Sequence, residues 1–209
     1  MEETNWLKVT YDEEDNTKLK DLYVGWSQCY DDEMVEMGYA YNRYVVDLFP
    51  EHEIDKASKV LDLGCGSGYV GKSLYDSGYT NLHGIDYSPD MLSQAGKKGI
   101  YQSLTEANLY EPIDMIESNT YDAIMCTGFF CRGHMKAPIL DEVFRILKVG
   151  GSLICSIGTN IYESYGYADK IMQLEVEGKV FVDEVTESFV VLPENSATAE
   201  SKMWVIRKL

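Results

Sequence analysis

The sequence predicts an α/β fold: a doubly wound, seven-stranded sheet, mostly parallel with its last strand antiparallel, preceded by an N-terminal helical cap. Three observations carry this. From residue 58 onward, short apolar runs alternate with stretches of helical periodicity, the rhythm of strands joined by right-handed crossover helices. After Gly158 two strand-like runs follow one another with no helix between them, so they should pair antiparallel. The run Val60-Leu61-Asp62-Leu63 passes into Gly64-Cys65-Gly66-Ser67-Gly68 and then an amphipathic segment, as a buried strand does when it turns through a glycine loop into a helix.

Along the chain, residues 1–20 are polar and acidic, with Asp12-Glu13-Glu14-Asp15 in sequence, and are expected to form a flexible arm. Residues 21–57 form the cap. Tyr30, Met34, Met37, Tyr41, Tyr44, Val45 and Leu48 recur at helical spacing, giving one or two helices that end before Pro50. In the core, 58–209, strands are expected at 59–63, 81–85, 100–104, 121–127, 152–157, 180–191 and 202–207. Val70 and Leu74 mark a helix that stops at Gly78. Ser88-Pro89 is a helix start, a hydroxyl cap followed by proline at the first helical position, and the helix runs through Met91, Leu92 and Ala95 to Gly99. A helix from Pro138 carries Ile139, Leu140, Val143, Phe144 and Leu147 on one face, and Gly150-Gly151 is expected to end it. A last helix covers about 162–177, and Pro193-Glu194-Asn195-Ser196 reads as a turn.

At 209 residues and 45 % apolar content the chain suits one soluble domain with a sizeable core. No apolar run approaches the roughly 20 residues that span a bilayer. The opening Met1-Glu2-Glu3 resembles neither a signal nor a transit peptide. Five cysteines, at 29, 65, 126, 131 and 155, form an odd, unpatterned set that fits a reduced, cytoplasmic protein. The net charge of −17 disfavours nucleic acid and anionic membranes as partners and suits a neutral or cationic substrate.

The glycine loop admits two classes of nucleotide cofactor. Gly66-Ser67-Gly68-Tyr69-Val70-Gly71 has the dinucleotide spacing, but that fingerprint should begin at the strand end, which is Gly64. From Gly64 the glycines fall at every second position. Asp62, two residues earlier, would oppose a pyrophosphate and favour an amino group or a sulfonium. Asp86 ends the second strand, where a carboxylate can accept both ribose hydroxyls, and Tyr87 can lie against an adenine face. These charges point away from a nicotinamide dinucleotide and toward S-adenosyl-L-methionine.

Asp62-Leu63-Gly64-Cys65-Gly66-Ser67-Gly68, Gly84-Ile85-Asp86-Tyr87-Ser88-Pro89-Asp90-Met91-Leu92, Tyr121-Asp122-Ala123-Ile124 and Leu147-Lys148-Val149-Gly150-Gly151 resemble, in order and spacing, the successive motifs of class I S-adenosylmethionine-dependent methyltransferases. Leu82-His83-Gly84-Ile85-Asp86 and Gly128-Phe129-Phe130-Cys131-Arg132-Gly133-His134-Met135 resemble more narrowly the methyltransferase-like proteins of the Williams–Beuren region type. The resemblance implies a Rossmann-like fold that binds S-adenosylmethionine and releases S-adenosylhomocysteine. It implies that Asp62 and the backbone near Gly64 hold the methionine amino group, that Asp86 holds the ribose, and that Asn108 replaces an acid accepting from the adenine amino group. The Leu109 amide would meet the adenine edge, Thr127 and Gly128 would flank the methionine portion, and Met91 joins the cofactor-binding set. Val149 stands where the family commonly has proline.

Outside those motifs, Trp26 and Tyr30 lie about one helical turn apart and are candidates to close over the methionine end, with Tyr30 also able to donate to the cofactor's carboxylate; packing is the competing role. His134, in the loop after the fourth strand, is the candidate general base, against a plain role at a helix start. Cys126, Cys131 and His134 fit no common zinc spacing, so no metal is expected. Displacement at a sulfonium asks mostly for alignment and desolvation, so no catalytic dyad is required. The expected function is methyl transfer to an acceptor, with a small molecule ahead of a protein side chain and nucleic acid last. A nicotinamide-dependent oxidoreductase and a non-catalytic S-adenosylmethionine-binding protein are the alternatives.

Overall fold

The computed structural model describes residues 15–131, 135–195 and 199–209, with residues 6, 9, 10 and 13 ahead of them. Three helices come first: α1 (Asn16–Trp26), α2 (Tyr30–Glu36) and α3 (Tyr41–Glu51). Then β1 (Val60–Leu63), α4 (Tyr69–Asp76), β2 (Leu82–Asp86), α5 (Pro89–Lys98), β3 (Tyr101–Glu106) and β4 (Tyr121–Phe130) alternate. The chain continues with α6 (Ile139–Ile146), β5 (Leu147–Gly158), α7 (Tyr167–Val176), β6 (Val180–Val185), β7 (Phe189–Val190) and β8 (Glu200–Lys208).

The strands form one sheet in the order β3-β2-β1-β4-β5-β8-β6, with β7 added beside β8. The first five are parallel, and β8 runs antiparallel to β5, β6 and β7. The mostly parallel, doubly wound sheet therefore matches expectation, as does the antiparallel last strand, while the strand count rises to eight. Alternation along each strand splits the core in two. Val60, Ala123, Met125, Ile154 and Val205 face α3 and α4. Leu61, Leu63, Ile124, Leu153 and Ile206 face α6 and α7. Because β1 lies between β2 and β4, the chain departs in opposite directions on either side of it. That switch point opens a crevice at the C-terminal ends of these strands.

Several boundaries differ from the sequence reading. The cap holds three helices, and α1 begins at Asn16, so residues 16–20 are helix and Leu19 is buried, not part of a flexible arm. Helix α3 runs through Pro50, which removes a bond only in the last turn. Phe49, fully buried against Tyr79 at a ring separation of 5.1 Å, holds that turn in place. Strand β5 begins at Leu147 and contains Gly150-Gly151. The register jumps there from Tyr121↔Leu147 to Ala123↔Ser152, so the glycines bend a strand instead of ending a helix. The run 180–191 splits because Thr186 pairs with Met203 partly through its side chain, the Met203 amide donating to Thr186 Oγ1 at 2.9 Å. The last helix starts at Tyr167, preceded by turns.

Candidate functional site

The crevice is floored by the loop from Gly64 to Gly68. The Gly64 and Cys65 amides both donate to the Ile85 carbonyl, at 2.9 and 3.0 Å, which pins the loop to the end of β2. Gly64 and Gly66 take φ of 73° and 52°, a region closed in practice to side chains. A Cβ on Gly64 would lie 2.9 Å from the Phe129 ring, whereas one on Gly66 would meet nothing within 4 Å. Gly66 thus presents bare backbone to open space in the crevice.

Asp86 stands across from it. One carboxylate oxygen accepts from the Gly66 amide at 2.8 Å and the other from the Ser88 amide at 2.8 Å. These amides take up part of the carboxylate's acceptor capacity and leave room for a further donor. Burial raises the Asp86 pKa, and the amides of Ser88, Gly66 and Tyr87, with the charge on Lys20, oppose that rise. Lys20 Nζ lies 4.3 Å from the centre of the Tyr87 ring and pairs with Glu106 at 3.1 Å, so α1 is fastened to the rim. Tyr110 meets Tyr87 edge-on at 6.4 Å.

The crevice is an open cleft with about 710 Å³ of empty space, the solvent at its mouth included. Among residues singled out in the sequence, it gathers Tyr30, Gly64, Gly66, Asp86 and Tyr87, and also Met91, Leu109, Thr127 and Gly128. Beside it lies a second chamber of about 540 Å³, walled largely by Trp26, Met34, Tyr41, Val191 and Leu192. Tyr23, Tyr30, Tyr39 and Gly128 line both spaces and form the throat between them. The Tyr39 hydroxyl opposes the rise that burial imposes on the Tyr30 pKa, as a neighbouring donor does. Gly128 has a φ of 70°, and a Cβ there would come within 2.5 Å of the Tyr39 hydroxyl, so a side chain at this position would be strained and would push Tyr39 aside.

Four expectations need correction. Asp62 does not line the crevice. It shares the strand face of Val60, which points it toward α4, where it accepts from the Tyr101 hydroxyl at 2.6 Å. Burial there lifts its pKa to about 7, helped by the charge on Asp86 and opposed by the Tyr101 hydrogen bond. Gly68 lies behind the loop as the N-cap of α4, with Tyr101 against it. Asn108 turns its amide to the residues that follow it, Oδ1 accepting from the Tyr110 amide at 3.1 Å and Nδ2 donating to the Glu111 carboxylate at 3.0 Å, and it is not among the residues lining the crevice. Trp26 belongs to the second chamber alone, its Nε1 donating to Glu33 at 2.8 Å. The candidate base His134 falls outside the described residues.

Sequence reasoning missed Leu19, Lys20 and Tyr23 of α1, and Tyr39, Tyr110 and Phe129. Tyr23 is seven residues before Tyr30, and Tyr39 follows Gly38. Neither carries a local signature, because the throat is assembled from two helices and the turn after the second.

Residues 61–155 match the family described as methyltransferase domain. A human relative, methyltransferase-like protein 27, is 32 % identical over 146 residues, which cover 66 % of this chain and 57 % of that protein. The chain spans less than two thirds of the length of the curated relatives it matches. The complex of the Haloferax volcanii Trm112 methyltransferase activator with a methyltransferase contains a chain that superposes with a TM-score of 0.64 at 17 % identity, covering 89 % of this chain and 96 % of its own length. An S-adenosylmethionine-dependent methyltransferase from Methanosarcina mazei superposes with a TM-score of 0.59 at 17 % identity, over 78 % of this chain and 97 % of its own. Residues 61–155 are thus similar to methyltransferase domains, and the sheet order and glycine loop give the chain the fold seen in solved S-adenosylmethionine-dependent methyltransferases.

Proposed function

We propose that the protein binds S-adenosylmethionine in the crevice and transfers its methyl group to a small molecule held beyond the throat. The observation that carries this reading is the pairing of Gly66 with Asp86. A bare backbone faces open space, and beside it a carboxylate fixed by backbone amides lines the crevice and keeps acceptor capacity. Those residues fit a nucleoside: Asp86 would accept from the ribose hydroxyls, Tyr87 and Leu109 would flank the base, and Gly64, Thr127 and Gly128 would leave room for the amino-acid arm.

The cofactor supplies a methyl group on a sulfonium, a centre that departs as a neutral thioether. The protein's work is alignment and exclusion of water. Leu19 and Tyr23 of α1 close one side of the crevice, and Phe129 packs behind Gly64 on the other. Asp62 sits beneath the loop, where burial raises its pKa to about 7, and a cation bound above would favour its ionised form. The throat tyrosines line the route along which an acceptor would approach.

The test is turnover. Incubation with labelled S-adenosylmethionine and separate pools of small metabolites, proteins and RNA should give label and S-adenosylhomocysteine in the small-molecule pool. Label only in the protein or RNA pool would contradict the acceptor class. Binding without turnover in any pool would favour a non-catalytic binding protein.

A further inference from the structure

The second chamber has a chemical character of its own. Its described walls are aromatic, aliphatic or small, and none of its described lining residues is charged. Trp26 stacks on Tyr23 at 5.7 Å and meets Tyr30 edge-on at 4.8 Å, while Tyr39 meets Tyr41 edge-on at 5.0 Å. Met34 and Tyr41 are nearly fully buried. A charged ligand entering here would shed its hydration with no described counter-charge lining the space, which is costly. An apolar ring would replace water against aromatic walls at a gain.

On the route to the crevice the throat offers phenol groups from Tyr30 and Tyr39, with the Tyr39 hydroxyl close over Gly128. Burial raises the pKa of both phenols, so they stay protonated at neutral pH and act as neutral donors and acceptors. An otherwise apolar molecule with one polar atom can set that atom at the throat, facing the crevice.

We propose that the second chamber is the acceptor site and selects a small, uncharged, largely apolar molecule, whose nucleophilic nitrogen or oxygen is positioned by the Tyr30–Tyr39 hydroxyl pair. The proposal rests on the crevice being the cofactor site. Transfer would form a bond from that atom to the methyl carbon as the carbon–sulfur bond breaks, leaving S-adenosylhomocysteine. The acceptor's proton, where it has one, leaves to solvent.

The test uses the full chain saturated with S-adenosylhomocysteine, with three ligands on one scaffold: neutral indole, anionic indole-3-acetate and cationic tryptamine. Calorimetry should show indole binding roughly tenfold or more tightly than either charged analogue, as the cost of burying an unpaired charge requires. Ala199→Phe and the milder Ala199→Leu project into the chamber from a lining position and should weaken indole while S-adenosylhomocysteine binding stays at the wild-type level, which also reports that the variant is folded. Wild type should prefer indole over benzothiophene, its counterpart without an N–H, and the Tyr30→Phe, Tyr39→Phe double variant should lose that preference, which a purely packing role would leave intact. Charged analogues binding as well as indole, or indole binding unchanged in both Ala199 variants, would overturn the proposal while leaving the cofactor reading in place. Absence of S-adenosylhomocysteine binding to wild type would remove the cofactor reading and the proposal with it.

Discussion

Single residues set the two most local features of the site. Asp62 looks from its sequence position like a ligand contact, yet strand parity turns it under the loop to Tyr101. Its carboxyl titrates near 3.8 in an unfolded chain and near 7 in the folded one. Across that window the folded state holds a proton that the unfolded state has released, so this group's contribution is complete below the unfolded value and is lost as pH rises through about 7. Urea midpoints should therefore show wild type losing stability relative to Asp62→Asn between pH 5 and pH 8; parallel profiles would contradict this. Gly128 makes a different prediction. Its positive φ and its approach to Tyr39 should make Gly128→Ala less stable by about 1–3 kcal/mol. Turnover should fall more than S-adenosylhomocysteine affinity, because the added methyl group intrudes on the throat. Kinetics and calorimetry on the same preparation separate the two effects.

Elements were legible in the sequence where their signals are local. The helix at Ser88-Pro89 begins and ends as read, with Ser88 Oγ accepting from the Met91 amide at 3.3 Å and Gly99 in the left-handed region at its end. Gly64, Gly66 and Asp86 come together because strand, loop and second strand tip are all set by short-range pattern. What was not legible depends on distant pairing. The bend at Gly150-Gly151 is fixed by the register with β4, and the break in the run 180–191 by the pairing of Thr186 with Met203. Similarly, α1 and α2 become walls of the site through contacts no periodicity announces. Asp31 accepts from the Ser67 hydroxyl at 2.5 Å and pairs with Lys98 at 2.5 Å, while Lys98 also donates to the Ser67 carbonyl. This knot ties α2 to the glycine loop and to α5. Asp31→Ala should cost about 1 kcal/mol, given its partial exposure, and should speed proteolytic cutting of the cap ahead of the sheet. Equal cutting rates in variant and wild type would show that the knot does not hold the cap.

The whole molecule combines a net charge of −17 with a second chamber whose described walls are uncharged, and among the described residues no helix is long and apolar enough to cross a membrane. On the proposed reading the charge would oppose polyanionic acceptors at long range, and the chamber would select at short range. For a neutral acceptor, KM should be nearly flat between ~50 and ~300 mM salt, since only charged partners feel the screened field. A KM that changes steeply with salt would point to a charged acceptor.

The central claim is that the crevice between Gly66 and Asp86 holds S-adenosylmethionine, and calorimetry tests it most directly. Titration of S-adenosylmethionine and S-adenosylhomocysteine into wild type and Asp86→Ala should show saturable binding of both to wild type. In the variant, affinity should fall at least about tenfold, the loss expected for charge-assisted hydrogen bonds to the ribose. No binding of either compound to folded wild type, or equal binding to the variant, would contradict the account.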